Sequence, residues 1–279
     1  ILEESRPRLE GIRLSQVAPP QLRARILSAG ELASSRLGVA ILAHHQLTAS
    51  WIDAGELLVS EPRPRETEID HYLEAKVRIE KGLVPAESDI AGAHAASSDA
   101  DGGYPPGTNA ASALTAGANI ILTQGFLART VEGEICLLGR GGSDTSASLL
   151  AVLLGAARLE IWTDVHGLFT ADPTLVPTAR LIRRLGYREA QELAAMGGKV
   201  LHPRCVPPLA RAEIPLWVRS IDAPDEAGTL IEQSHEDHPV VTAVTCRKGV
   251  VLLSLSTLDM LERPGYLARI FAVVEERGF

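Results

Sequence analysis

The residues best suited to chemistry lie in Gly139-Arg140-Gly141-Gly142-Ser143-Asp144 and in the stretch Thr163-Asp164-Val165-His166-Gly167-Leu168-Phe169-Thr170-Ala171-Asp172-Pro173. In the first, three glycines let backbone N–H groups crowd round an anion without interference from Cβ atoms. Ser143 and Asp144 open the helix that follows, and a helix N-terminus also favours negative charge. Arg140 adds a planar guanidinium fork matched to a carboxylate or a phosphate. The second stretch contributes Asp164 and Asp172, carboxylates suited to a ribose or to water on Mg²⁺. Farther on stands Lys199, in a chain whose other lysines are Lys76, Lys81 and Lys248. A compact ammonium with three donors suits a phosphate in motion. With Gly30-Glu31, these segments hold the set that phosphoryl transfer needs: donors and cations round the moving phosphate, and anchors that keep the acceptor in line.

Such residues must be positioned by alternating strands and helices. Ile120 to Thr123, Ile135 to Leu138 and Leu159 to Trp162 read as short apolar strands, with a helix over Thr145 to Ala157 between the last two. That order predicts an α/β protein with a mainly parallel sheet covered by helices. Further expected elements are a helix over Gln21 to Leu42, a strand over Ala49 to Ile52, a helix over Arg188 to Met196, a strand-like step at Lys199 to Leu201 and a strand over Pro215 to Arg219. Gly30 falls inside the first helix, where glycine costs about 1 kcal/mol relative to alanine, so a break or a close packing contact is expected there. Residues 61–68 read as a solvated connection and residues 92–118, rich in Ala, Ser, Gly and Asp, as a loop.

The composition narrows the class of partner. With 279 residues, 46% hydrophobic, the chain can build substantial cores. A formal net charge of −8 argues against general binding to nucleic acid or to an acidic membrane surface. Cys136, Cys205 and Cys246 stand singly, without metal or disulfide spacing, and read as reduced core residues. The histidines, His202 included, lack metal-ligand spacing and read as structural. No apolar run approaches the ~18 residues of a membrane span, and a cytoplasmic location is expected.

Four motifs taken together carry a family resemblance: Leu138-Gly139-Arg140-Gly141-Gly142-Ser143-Asp144, Trp162-Thr163-Asp164-Val165-His166-Gly167, Thr170-Ala171-Asp172-Pro173 and Gly198-Lys199-Val200-Leu201-His202-Pro203. They resemble the aspartate kinases, over about Ser28 to Ile231, and Ser28-Ala29-Gly30-Glu31 fits that family's Ser-x-Gly-Glu element. The resemblance implies the three-layer α/β/α sandwich of the amino-acid kinases, followed by an ACT-like α+β module. It implies transfer of the γ-phosphoryl group of ATP, with Mg²⁺, to the side-chain carboxylate of L-aspartate, the opening step of lysine, threonine and methionine biosynthesis. By the same resemblance Arg140 and Glu31 position aspartate, with Ser143 close by, Asp144 orients a catalytic lysine, and Lys199 is a catalytic residue at the transferred group. Gly141, Gly142, Thr163, Asp164, Phe169, Asp172 and Lys199 surround ATP.

A composition change near Gln233 to His238 sets the expected domains at 1–235 for the kinase and 236–279 for part of an ACT-like module. In the second, Val240 to Thr245 and Val250 to Ser256 read as strands, and Pro264-Gly265 leads into a helix over Tyr266 to Glu276. The family's opening strand and its Lys-Phe-Gly-Gly-Thr-Ser motif have no counterpart in this sequence, Thr174 replaces the arginine that usually follows Asp-Pro, and His166 occupies a position often held by a smaller residue or a proline. A homodimer or higher homo-oligomer through the C-terminal module and an amino-acid effector are expected of a longer parent. Leu127 and Glu160-Ile161-Trp162 also resemble the kinase portion of fusions with diaminopimelate decarboxylase. Two other readings fit the same residues: a kinase-like module that binds nucleotide or amino acid without turnover, and a kinase of another small acceptor with the same fold. A dinucleotide site fits least, because the glycine spacing is not Gly-x-Gly-x-x-Gly.

Overall fold

The computed structural model describes residues 18–61, 67–79, 120–198, 200–233, 241–246, 249, 254 and 265–276. The segment 92–118, residues 62–66 and Lys199 lie outside them, as does most of the expected strand over Val250 to Ser256. Two compact units are present, Ile1–Cys246 and Arg247–Phe279.

The larger unit opens with helix α1, Pro20–His44, which begins with proline in its first turn and ends where Gln46 takes a left-handed φ of 61°. It runs straight through Gly30. A Cβ on Gly30 would meet nothing within 4 Å, so the expected break or close contact is not found there. The close approach falls at Gly38 instead, where a Cβ would come within 2.6 Å of Leu122. Contrary to the sequence expectation, α1 is long and apolar enough to cross a membrane by length and composition, with a mean hydropathy of 1.4 over its most apolar 18 residues. Between Ile26 and Ala43 its only charged residues are Glu31 and Arg36. The polar side chains of α1 tie it to the domain: Ser35 accepts the indole N–H of Trp51 at 3.0 Å, Arg36 stacks on that ring, and Arg25 pairs with Glu134.

After α1 come β1 (Ala49–Ile52), the one-turn helix α2 (Ala54–Leu57), β2 (Leu58–Ser60), α3 (Glu68–Leu73), β3 (Val77–Ile79), β4 (Ile120–Thr123), β5 (Leu127–Arg129) and β6 (Ile135–Leu137). Then follow α4 (Gly142–Leu153), β7 (Leu159–Thr163), β8 (Arg184–Gly186), α5 (Tyr187–Ala195), α6 (Val206–Ala212), β9 (Leu216–Ser220) and β10 (Thr229–Glu232). Among the described residues the strands form three sheets, ordered β1-β4, β7-β9-β10-β8 and β3-β2-β5-β6. Parallel pairing joins β1 to β4, β7 to β9, β8 to β10 and β2 to β5; the pairs β9/β10, β2/β3 and β5/β6 are antiparallel. The result is an α/β architecture with parallel-rich sheets.

One core gathers Leu185, Leu209, Leu216, Val218 and Ile231 between α4, α5, α6 and the four-stranded sheet of β7 to β10. A second gathers Ile52, Leu58, Cys136 and Leu138. Cys205 is fully buried, and burial, with Asp144 nearby, pushes its thiol up to about 12, which keeps it protonated and unreactive. Cys246 is exposed, so the reading of all three cysteines as core residues holds for Cys136 and Cys205 only.

Residues 241–246 form no strand. They pack as an extended arm on the larger unit, where the Val244 N–H donates to the Thr170 carbonyl at 2.9 Å and the Thr242 hydroxyl donates to Glu189 at 2.7 Å. In the smaller unit, helix α7 (Tyr266–Glu276) is amphipathic and leaves Leu267, Phe271 and Val273 exposed.

Candidate active site

Strand β6 ends at Leu137, and Leu138 returns its N–H to the Phe126 carbonyl before the chain enters the glycine turn. Gly139 and Gly141 both take left-handed φ values, 70° and 66°, which a side chain tolerates poorly. Gly141 is the N-cap of α4, and no side chain caps it. Helix α4 starts at Gly142, whose own N–H donates to the Gly139 carbonyl at 3.1 Å, and the positive end of the helix favours an anion there. It ends at Leu153, before Gly155 at φ 56°.

Close packing fixes the turn. A Cβ on Gly141 would lie 2.0 Å from Cγ of His202, and one on Gly142 would lie 2.6 Å from Cβ of Phe126. Asp144, in the first turn of α4, accepts the backbone N–H of His202 at 3.0 Å. His202 is thus seated against the turn, and its pKa is lowered by burial first and by Arg204, with Asp144 opposing and Arg140 adding to the lowering. Arg204 is held to the same turn by a 2.9 Å hydrogen bond from its guanidinium to the Leu138 carbonyl. Arg140 is exposed at the tip.

Glu31 reaches the same place from α1. Its carboxylate accepts the N–H of Gly125 at 3.0 Å. A Cβ on Gly125 would come 3.0 Å from the Ser143 hydroxyl, so Ser143 lies directly beside that amide. The segment after β4 is held from behind by Gln124, fully buried, which donates to Asp53 at 2.6 Å. Asp53 also accepts Arg129 at 2.6 Å and the Gly55 N–H at 2.9 Å. Phe126, at φ 47°, then turns the chain into β5.

The remaining candidates lie at the C-terminal end of β7 and in the loop that follows, the end of a parallel strand where α/β proteins place ligands. The Thr163 hydroxyl donates to Asp164 at 3.0 Å. Phe169 bridges Leu181 in antiparallel fashion. Asp172 accepts both the N–H of Thr174 at 2.9 Å and its hydroxyl at 2.6 Å, closing a local turn.

The structure therefore knits Glu31, Gly125, Ser143, Gly141, Gly142 and Asp144 into one cluster with Arg140 at its rim, and groups Thr163, Asp164, Phe169 and Asp172 on one loop. Lys199 falls outside the described residues; His202, three positions on, is seated against the glycine turn. Sequence reasoning missed Gly125 and Arg204, and it read His202 as structural without placing it at the turn. The available signal was Gln124-Gly125-Phe126 directly after a buried-type strand, the same grammar as the Gly139 turn.

Chemically, an amide-held carboxylate, a hydroxyl, an exposed guanidinium and an uncapped helix N-terminus can together grip a small zwitterionic acid and a phosphate. The amino acid kinase family matches residues 6–220, and the chain belongs to that family. Within it the likeness is to aspartokinases: lysine-sensitive aspartokinase 3 of Escherichia coli K12 is 33% identical over 255 residues, 91% of this chain and 50% of that protein. Among solved structures, E. coli aspartokinase III in complex with aspartate and ADP (R-state) is similar with a TM-score of 0.64 and 31% identity, covering 87% of this chain and 49% of its own. The same enzyme in complex with lysine and aspartate (T-state) gives 0.66 and 32%, covering 99% and 56%. The chain spans half or less of the length of the curated relatives it matches.

Proposed function

We propose that this chain is the kinase portion of an aspartate kinase, transferring the γ-phosphoryl group of ATP to the side-chain carboxylate of L-aspartate to give 4-phospho-L-aspartate and ADP. The observation that carries this reading is the Glu31 carboxylate held on the Gly125 amide beside Ser143, at the foot of the turn that presents Arg140. Glu31 takes the substrate ammonium and Arg140 its α-carboxylate, which leaves the side-chain carboxylate facing the uncapped start of α4. One carboxylate oxygen bonds to the γ-phosphorus as the bond from phosphorus to the β,γ-bridging oxygen breaks, and ADP leaves with that electron pair.

The Gly141 amide, the positive end of α4 and the ammonium of Lys199 take up charge on the moving group, and Asp144 orients a catalytic lysine. Thr163, Asp164, Phe169 and Asp172 hold the nucleotide. Mg²⁺, entering on the nucleotide phosphates with Asp164 or Asp172 on its water shell, would supply charge neutralisation there. Thr174 adds no cation at that loop, so Lys199, Arg140 and the helix end carry the electrostatic load.

For the longer protein we propose an ACT-like module built round α7, an association into a homodimer or higher homo-oligomer, and an amino-acid effector, in keeping with the lysine bound by the E. coli relative. A cytoplasmic location goes with the biosynthetic role. A fusion to diaminopimelate decarboxylase rests on Leu127 and Glu160-Ile161-Trp162, and sequencing the parent reading frame tests it.

The catalytic test is incubation with Mg-ATP, hydroxylamine and either L-aspartate or L-glutamate. Acyl hydroxamate from aspartate alone supports the reading. Hydroxamate from glutamate alone assigns another acceptor, and tight Mg-ATP binding without hydroxamate from either acid makes the chain a binding module.

A further inference from the structure

The loop carrying Phe169 and Asp172 leaves and rejoins the core at Leu168 and Ile182. There the Ile182 N–H donates to the Leu168 carbonyl at 2.8 Å, and one residue outward the Thr170 N–H donates to the Arg180 carbonyl at 2.9 Å. An antiparallel ladder would return a bond from the Leu168 N–H to the Ile182 carbonyl. The hydroxyl of Thr229 stands in that place instead. It accepts the Leu168 N–H at 2.9 Å and donates to the Ile182 carbonyl at 2.7 Å, and Thr229 is fully buried.

The neighbouring backbone is shaped to admit this hydroxyl. Gly167 has φ 137°, and a Cβ there would lie 2.5 Å from Thr229 Oγ1. Gly228 has φ 69°, and a Cβ there would strike the Val218 carbonyl at 2.1 Å, so the chain can pass close over β9 and deliver Thr229 to the root of the loop. On the solvent side the same segment holds the loop a second time, through His166 Nδ1 and Glu226 at 3.0 Å. Arg219 fixes that segment in turn by stacking on Trp162 and donating to the carbonyls of Pro224 and Glu226.

We infer that Thr229 is a positioning residue of the nucleotide site: its hydroxyl replaces one rung of the ladder at the root of the 168–182 loop and so sets where Phe169 and Asp172 present themselves to ATP. The inference rests on the reading of that loop as the nucleotide site. Thr229 touches no substrate, and its effect should fall on nucleotide binding rather than on the aspartate pocket round Glu31.

The full chain is made with Thr229→Val, which keeps the shape and removes the hydroxyl, with Thr229→Ala, which removes it without setting a methyl against the two backbone groups, and with Thr229→Ser, which keeps the hydroxyl. Amide hydrogen exchange at Leu168 and calorimetric titrations with Mg-ATP and with L-aspartate are the readouts. In the Val and Ala variants we expect Leu168 exchange to quicken about tenfold or more and Mg-ATP binding to weaken about tenfold, with aspartate binding within about twofold and both losses recovered in Ser. Unchanged Leu168 exchange, unchanged Mg-ATP affinity in a folded Val or Ala variant, an equal loss for aspartate, or a Ser variant as weak as Val would each overturn the inference. If the unaltered chain binds no Mg-ATP, the kinase reading itself fails and takes this inference with it; if the unaltered chain and the Val variant bind alike, only this inference falls.

Discussion

The Asp144 carboxylate and the backbone N–H of His202, 3.0 Å apart, join the first turn of α4 to the segment that follows Lys199 in sequence. This bond holds two distant parts of the chain in one site, and the carboxylate keeps lone pairs for a second donor. Asp144→Ala removes the acceptor and should lower unfolding free energy by about 1–2 kcal/mol, the cost of leaving a partly buried N–H unpaired. Asp144→Asn keeps an acceptor oxygen but loses the charge, so its stability should stay near that of the unaltered chain. Hydroxamate formation should fall at least tenfold in both, by about 1.4 kcal/mol or more of barrier. Full turnover in the Asn variant would show that the charge of Asp144 has no part in orienting a lysine.

Gly30 and Gly141 make a controlled pair. Gly141→Ala forces a left-handed φ on a residue with a Cβ, at about 1–2 kcal/mol, and drives that carbon into the His202 ring. Gly30→Ala meets nothing and should stabilise α1 by up to about 1 kcal/mol. Urea unfolding of the two variants should therefore shift in opposite directions, and Mg-ATP affinity should drop for Gly141→Ala alone.

Much of this arrangement was legible in the sequence because it is local. A strand, a glycine turn and a helix N-terminus are consecutive, so Arg140, Ser143 and Asp144 could be read together, and the strands at Ala49, Ile120, Leu159 and Leu216 appear within a residue or two of where periodicity puts them. What the sequence hid is contact between segments far apart in the chain. His202 reads as an isolated histidine until Gly141 is seen beneath its ring, and Thr229 reads as an ordinary strand threonine until Leu168 and Ile182 are seen on either side of its hydroxyl. Helix α6 was missed because Pro207-Pro208 in its first turn look like breakers, although proline fits the start of a helix. In α1 the motif draws attention to Gly30, yet the position that needs glycine is Gly38 against Leu122.

Gln124 should matter to aspartate more than to ATP. Its side chain is buried and locked to Asp53, and the next residue supplies the amide that holds Glu31. Gln124→Leu strips one donor from the Asp53 carboxylate and frees the Gly125 amide to shift, at a stability cost of about 1–3 kcal/mol. Steady-state kinetics should show KM for aspartate raised several-fold, by roughly 1 kcal/mol of binding, with KM for ATP little changed. Equal rises in both constants would mean that the substitution merely loosens the fold.

His202 gives the domain a pH dependence whose sign is fixed by its surroundings. Burial, reinforced by Arg204 and Arg140 and opposed by Asp144, lowers its pKa, so the folded state prefers the neutral ring. Above the unfolded value of about 6.5 both states are neutral and the contribution is fully present. As the pH falls below that value the unfolded chain takes up the proton first, and stability is lost until the pH has passed through the lower folded pKa. Urea midpoints measured from pH 8 down to pH 5 should therefore fall more steeply for the unaltered chain than for His202→Gln, which carries no titrating ring. Identical slopes in the two proteins would mean that the ring above Gly141 titrates as it does in water, and that neither burial nor the arginines Arg140 and Arg204 act on it.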